Sequence, residues 1–318
     1  MRPLSHLDRL GERSRPHYGQ LVLWTVLLCA CAHCLYFELY WGTRPEGSVR
    51  VHNPASLLSF LPEAVTLNRG VCVGFGVLFA AGAVLWFLRR LLPWSAWATA
   101  FSFNVVVALY FENSSQETHV AHVAGMFLLI YALWYHFYRR EIRDADRAGR
   151  FWATPLYPRW VYFLTVFYLG LFYGLSGFNK VATSGLSWAN GVSLQLWAEL
   201  FGDKSSVFTQ MILSSRTAAA AMQWAALVGE CGGLVAIVSR RLRPLVGILL
   251  IGFHIAQISV FGWGFYTNMF MLALVFLPVR EWTPQVVAWW EGKAGNANLP
   301  IGAAPSANRE IGVPRDRG

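Results

Sequence analysis

Lysine is nearly missing from this chain: of 26 basic residues only Lys180, Lys204 and Lys293 are lysines, and the other 23 are arginines. Charge of either sign is scarce, at 14% of 318 residues, whereas 55% are hydrophobic. That balance is too apolar for a soluble domain and places the chain among membrane proteins. Walker, Rossmann and zinc-protease patterns are absent, as is any hydrophobic spacing repeated at a fixed period. No metal site is expected. The net charge of +9 invites a nucleic-acid reading, yet no basic stripe with interleaved aromatics sits on a soluble stretch long enough to fold. No nucleic-acid partner is expected either.

What the chain does have is apolar runs. They lie near 20–41, 71–88, 94–111, 120–138, 160–178, 217–238, 245–262 and 264–279. At about 1.5 Å per residue each is close to the thickness of the hydrocarbon core. The fold class is therefore all-α, a polytopic membrane helix bundle of about eight transmembrane helices, with the lipid bilayer as partner. Gly262-Trp263-Gly264 separates the last two runs so tightly that seven spans plus a broken helix is the competing count. The first run could be mistaken for a signal peptide at Ala30-Cys31-Ala32, but apolar sequence continues to Trp41, which favours an uncleaved anchor.

The loops distribute charge unevenly. With eight spans, 20 positive residues fall on the side holding both termini and five on the other, Lys180 being set aside as intramembrane. The positive-inside rule then makes both termini cytoplasmic in a multi-pass protein of the cell membrane. The chain divides into a cytoplasmic tail over 1–19, a transmembrane domain over 20–280, and a cytoplasmic segment over 281–318 that begins amphipathic and ends disordered. After the fifth span, Leu186–Leu200 carries Trp188 and Trp197 and reads as an interfacial or re-entrant helix on the non-cytoplasmic side.

Lys180 is the residue to explain. A charge at membrane depth is costly, and intramembrane ionisable residues face a cavity, a partner or water. A chain that uses arginine nearly everywhere has kept here the basic side chain that can surrender its proton and act as a base. The alternative is a lysine that snorkels to the interface and marks a helix end. Orientation gives the other unusual residues a depth. Lys180 falls near the outer face, level with His119 and His122, below Glu112 and Glu117; His254 falls at or beyond the midplane; Glu230 and Asn104 lie deep. Buried polar groups in lipid must satisfy one another, which favours one outer cavity roofed by Leu186–Leu200. Each has a plainer reading: His254 as a helix-to-helix hydrogen-bonding group, Glu230 as the partner of a neighbouring helix or of the arginines near 240. Cys31-Ala32-His33-Cys34 has redox-motif spacing, but cysteines in mid-span behave as small hydrophobes. His122 and His254 could also flank a haem.

Ser176-Gly177-Phe178-Asn179-Lys180-Val181, followed by Trp188 and Gly191, resembles a helix end of the vitamin K-dependent gamma-carboxylases and their bacterial relatives, the HTTM-domain membrane proteins. Thr118–His122, Glu230 with Arg240-Arg241, and Gly252-Phe253-His254 resemble further pieces of the family in the same order. The resemblance spans about residues 15–280. It implies Lys180 as the base that deprotonates a reduced, vitamin K-like quinone on the non-cytoplasmic side, with His122 and His254 as catalytic helpers and His119, Asn179, Trp188 and Glu230 in supporting or ligand-binding roles. Asn179 stands where the carboxylases carry a second lysine, and their large C-terminal domain has no counterpart here. A lipid-soluble small molecule is thus the expected partner, with no protein substrate specified. The expected function is quinol-dependent oxidation, epoxidation or carboxylation; the alternative is a non-enzymatic transporter or assembly partner that binds an anionic or lipid-like ligand at Lys180.

Overall fold

The computed structural model describes residues 16–43, 58, 60–66, 68–113, 119–147, 157–262 and 264–290. Within them the chain forms α1 (Pro16–Thr43), α2 (Glu63–Thr66), α3 (Arg69–Phe87), α4 (Trp94–Asn113), α5 (His119–Phe137), α6 (Arg139–Arg147) and α7 (Arg159–Ser184). A 3-10 turn (Gly185–Ala189) leads to α8 (Val192–Phe201), α9 (Val207–Ser214), α10 (Arg216–Val238), α11 (Arg243–Phe261), α12 (Tyr266–Phe276) and α13 (Val279–Trp290). No strand occurs among the described residues. The protein is all-α.

Six helices, α1, α3, α4, α7, α10 and α11, are long and apolar enough to cross a membrane. Two shorter apolar stretches lie in α5 (Ala121–Phe137) and in α12 (Tyr266–Phe276). The 11 residues of α12 rise about 16 Å, roughly half the hydrocarbon thickness. The eight apolar runs thus become six helices of spanning length and two shorter ones.

Helix ends follow local chemistry. The Asn68 side chain accepts from the N–H groups of Gly70 and Val71 and opens α3. Ser215 does the same for Ala218 at the start of α10. Gly262, at φ 72°, closes α11 in the left-handed conformation that glycine adopts most readily. The stretch between the fourth and fifth apolar runs opens with the short polar helix α6, which buries Ile142 and exposes Arg140, Glu141, Arg143, Asp144 and Arg147. The N-terminal tail over 1–15 and the tail after Trp290 lie outside the described residues.

In the bundle, α1 packs on α3, α4, α5, α12 and α13, and the broadest helix–helix contact is between α7 and α10. That contact is made by small residues. Gly170, Gly174 and Gly177 follow one stripe of α7 against Gly233, Leu234 and Cys231 of α10. A Cβ at Gly170 would stand 2.6 Å from the Gly233 carbonyl oxygen, and one at Gly177 2.8 Å from the Cys231 nitrogen. Such close backbone approach is how membrane helices gain packing when lipid offers no hydrophobic drive between them. It sets which side chains meet.

Candidate functional site

One turn beyond Gly177 on α7 stands Lys180, and beside the Cys231 contact on α10 stands Glu230. The Lys180 Nζ donates to both carboxylate oxygens of Glu230, at 2.6 and 2.5 Å, and to the Ser176 hydroxyl at 3.0 Å. The pair is asymmetric: the lysine side chain is 26% exposed and the glutamate 5%. The accessible member is therefore the lysine, while the carboxylate is the enclosed counter-charge. A carboxylate enclosed in this way is tolerable only with a partner this close.

The position differs from expectation in one respect. Lys180 is not the end of its helix, because α7 runs on to Ser184, and Glu230 sits well inside α10, fourteen residues from Arg216 and eight from Val238. The pair therefore stands level with the body of α10 rather than at its outer tip. The physical reason is neutralisation: with Glu230 and Ser176 as partners, the ammonium has no need to reach the helix end for water. Glu230 pairs with this lysine, not with the arginines near 240.

Trp188 covers the pair. Its ring centroid lies 5.2 Å from Nζ, within cation–π distance. The turn that holds it is pinned by Gln223 of α10, whose side-chain amide donates to the Trp188 carbonyl at 2.9 Å and the Ser193 hydroxyl at 2.7 Å and accepts from the Gly191 N–H at 2.7 Å. Gly191 sits at φ 88°, and a Cβ there would fall 2.5 Å from the Arg216 carbonyl oxygen. Only glycine passes. Of the expected roof, Trp188 lies over the lysine, whereas Trp197 of α8 is exposed and packs on Phe201. With Leu196, Leu200 and Phe201, it forms an outward apolar face suited to a membrane interface.

His254 is buried on α11 and shares a 2.7 Å hydrogen bond with the Tyr173 hydroxyl, its other ring nitrogen facing Gln257 at 3.4 Å. Tyr173 is on α7 two turns before Lys180, so Tyr173, Ser176, Gly177 and Lys180 share one helix face. His254 thus joins the seam through Tyr173. His122 is exposed on α5 and meets Phe111 edge-on at 6.4 Å between ring centres. The side chains of His119, Glu112 and Glu117 lie outside the described residues, and Asn179 is exposed on α7.

Among the described residues Asn104 does not join the polar groups around Lys180. Asn104 donates its amide to the carbonyls of Ala100, at 2.8 Å, and of Gly125, at 3.2 Å, and so ties α4 to α5. Gly125 is small enough to admit it. Cys31 is exposed and Cys34 buried, and no disulfide joins them. No metal-ligating cluster occurs among the described residues. Reasoning from sequence missed Ser176, Tyr173 and Gln223. Ser176 and Tyr173 were findable, standing four and seven residues before Lys180 on one helical face, whereas Gln223 carries no such signal.

No curated protein and no solved structure gives a significant match to the chain. The family model of the HTTM domain matches residues 144–282, a stretch that contains α7 through α12 and with them Lys180, Trp188, Gln223, Glu230 and His254. This part of the chain is similar to the HTTM domain.

Proposed function

We propose that the Lys180–Glu230 pair is a membrane acid–base site acting on a lipid-soluble acid such as a reduced quinone. The observation that carries this reading is the paired, partly accessible lysine under an aromatic face. At rest Lys180 is an ammonium held by a carboxylate. Passing one proton from Nζ to Glu230 leaves a neutral amine beside a carboxylic acid, a change that removes two charges from a poorly solvated place. The amine then takes the hydroxyl proton of the acid, regenerating the ammonium, and Glu230 retains the first proton. The residues suit the head group of a reduced quinone: one nitrogen to receive a hydroxyl proton and one indole face to lie along a flat ring. When bound, such a quinol would supply the oxidisable ring for the oxidation, epoxidation or carboxylation chemistry of the vitamin K-dependent carboxylases that the chain resembles. His254 acts through Tyr173 as a positioning residue. His122 and His119 remain helpers implied by the resemblance, as does Asn179.

Lys180→Arg tests the site. Arginine keeps the charge and can keep Glu230, but it does not deprotonate in a protein. Oxidation of a reduced isoprenoid naphthoquinone by added dioxygen, as the two-electron acceptor, on purified protein in lipid nanodiscs should fall about a hundredfold or more, the scale of a lost general base. Undiminished turnover would remove the base. If parent and variant show no turnover but bind an anionic lipid-like ligand equally, Lys180 is a docking charge in a transporter or assembly partner.

The reading includes an eight-span topology in which α5 and α12 cross with the six longer helices and both termini are cytoplasmic. It rests on the charge imbalance of the loops. Reporter fusions after Arg150 and Arg280 should read cytoplasmic and one after Lys204 external; an external reading at Arg150 would overturn it.

A further inference from the structure

At the other end of the α7–α10 seam, four arginines come together from four places in the chain. Arg159 opens α7, Arg240 follows α10, Arg243 opens α11 and Arg280 lies in the first turn of α13. They line one cavity of about 360 Å³ together with Tyr162, Phe163, Val166, Ile237 and Val238. Such charges repel one another, so this convergence needs a reason. Part of it is internal. Arg243 donates to the Ala236 carbonyl at 2.9 Å and the Tyr162 hydroxyl at 3.0 Å, and Arg280 lies 4.7 Å over the Tyr162 ring. Arg240 pairs with Glu281 at 2.9 Å. Tyr162 in turn donates to the Val275 carbonyl at 3.3 Å. Two arginines are thus oriented around one tyrosine, and Glu281 pairs with a third.

The walls differ in kind from the mouth. Beside the arginines the lining holds Phe163 and Val238, both exposed, with Ile237 half-buried and Val166 buried behind them in α7. A polar anion alone would leave that apolar wall unused. An anion attached to a hydrocarbon chain would use both. A guanidinium offers several N–H donors in a plane, of which Arg243 spends two on the protein, so donors remain for phosphate oxygens. Basic pockets between membrane helices on the cytoplasmic side are suited to acidic lipid head groups.

We propose that this cavity binds the phosphate of an anionic membrane phospholipid, with the arginines on the head group and the acyl chain along Phe163, Val166, Ile237 and Val238. The site is separate from Lys180 and does not depend on its chemistry. It would tie the ends of α7, α10, α11 and α13 together from the lipid side.

The test uses delipidated full-length protein in nanodiscs of zwitterionic lipid carrying graded phosphatidylglycerol, with bound lipid read by native mass spectrometry. Two double variants are compared: Arg159→Gln with Arg280→Gln at the cavity, and Arg90→Gln with Arg140→Gln on the same side but outside it. The cavity variant should bind phosphatidylglycerol about tenfold more weakly or worse, and the control should lose less than about twofold, because each basic group near the head group contributes on the order of a factor of five or more. Equal losses in the two variants would overturn the site in favour of a diffuse surface charge. Inorganic phosphate that competes fully at millimolar concentration would overturn the lipid assignment and leave a free-anion site. Should the cavity variant misfold, a photoactivatable phosphatidylglycerol on the unaltered protein decides: adducts at 159–166 and 237–243 support the site, and adducts spread over all the helix ends refute it.

Discussion

Along α7 and α10 the backbones meet at glycines and enclose a charged pair, whereas α1, α5 and the residues entering α7 pack aromatic rings around neutral polar groups. In that second region Tyr18, Tyr131, Trp134, Tyr135 and Tyr157 are all buried, Tyr131 and Tyr157 share a hydrogen bond of 3.0 Å, and Gln20 donates to Tyr135 at 3.1 Å. Tyr157 lies just before α7, and burial pushes its phenol well above the ordinary tyrosine range. It stays neutral at any physiological pH. Both regions solve the problem of polar atoms away from water. The aromatic core does so with neutral hydroxyl and amide groups, and the glycine seam does so with an ion pair.

The largest effect should come from breaking the charged pair. Glu230→Ala leaves the lysine without its counter-charge and is expected to destabilise the fold by about 3 kcal/mol, read by thermal unfolding in detergent. Adding Lys180→Met should restore most of that loss while leaving the site inactive. If the double variant is no more stable than Glu230→Ala, the pair is not what the seam depends on. A smaller loss is expected when the seam is wedged open. Gly170→Ala drives a methyl onto the Gly233 carbonyl and should cost about 2 kcal/mol, whereas at Gly174 the nearest atoms belong to the Leu234 side chain, which can turn away. Equal losses at the two glycines would mean that the backbones do not meet as closely as described. The smallest effect belongs to the aromatic core. Tyr131→Phe removes one hydroxyl hydrogen bond and should cost about 1 kcal/mol with ligand binding at Lys180 unchanged. A change at that site would show that the two regions are coupled.

Much of the bundle could be read in advance because a membrane leaves few choices. A run of apolar residues must form a helix to satisfy its own backbone, and Lys180 stands out because charge inside such a run is expensive. The partner of Lys180 was harder to identify. Glu230 is 50 residues away in sequence and was plausible as a mate for the arginines near 240; nothing in the spacing of residues on α10 says which way it faces. Asn104 was expected to join it, yet it found Gly125 on the neighbouring helix.

The residues themselves determined that this chain is an all-helical membrane protein with one unusual lysine, because hydropathy and the cost of buried charge depend on composition along a single helix. Only the tertiary structure decided that the lysine is matched to Glu230 and covered by Trp188, and that His254 bonds Tyr173 on the same face of α7. Those pairings depend on helix register, and register is set where Gly170, Gly174 and Gly177 let two backbones approach, a contact between surfaces that neither helix carries alone.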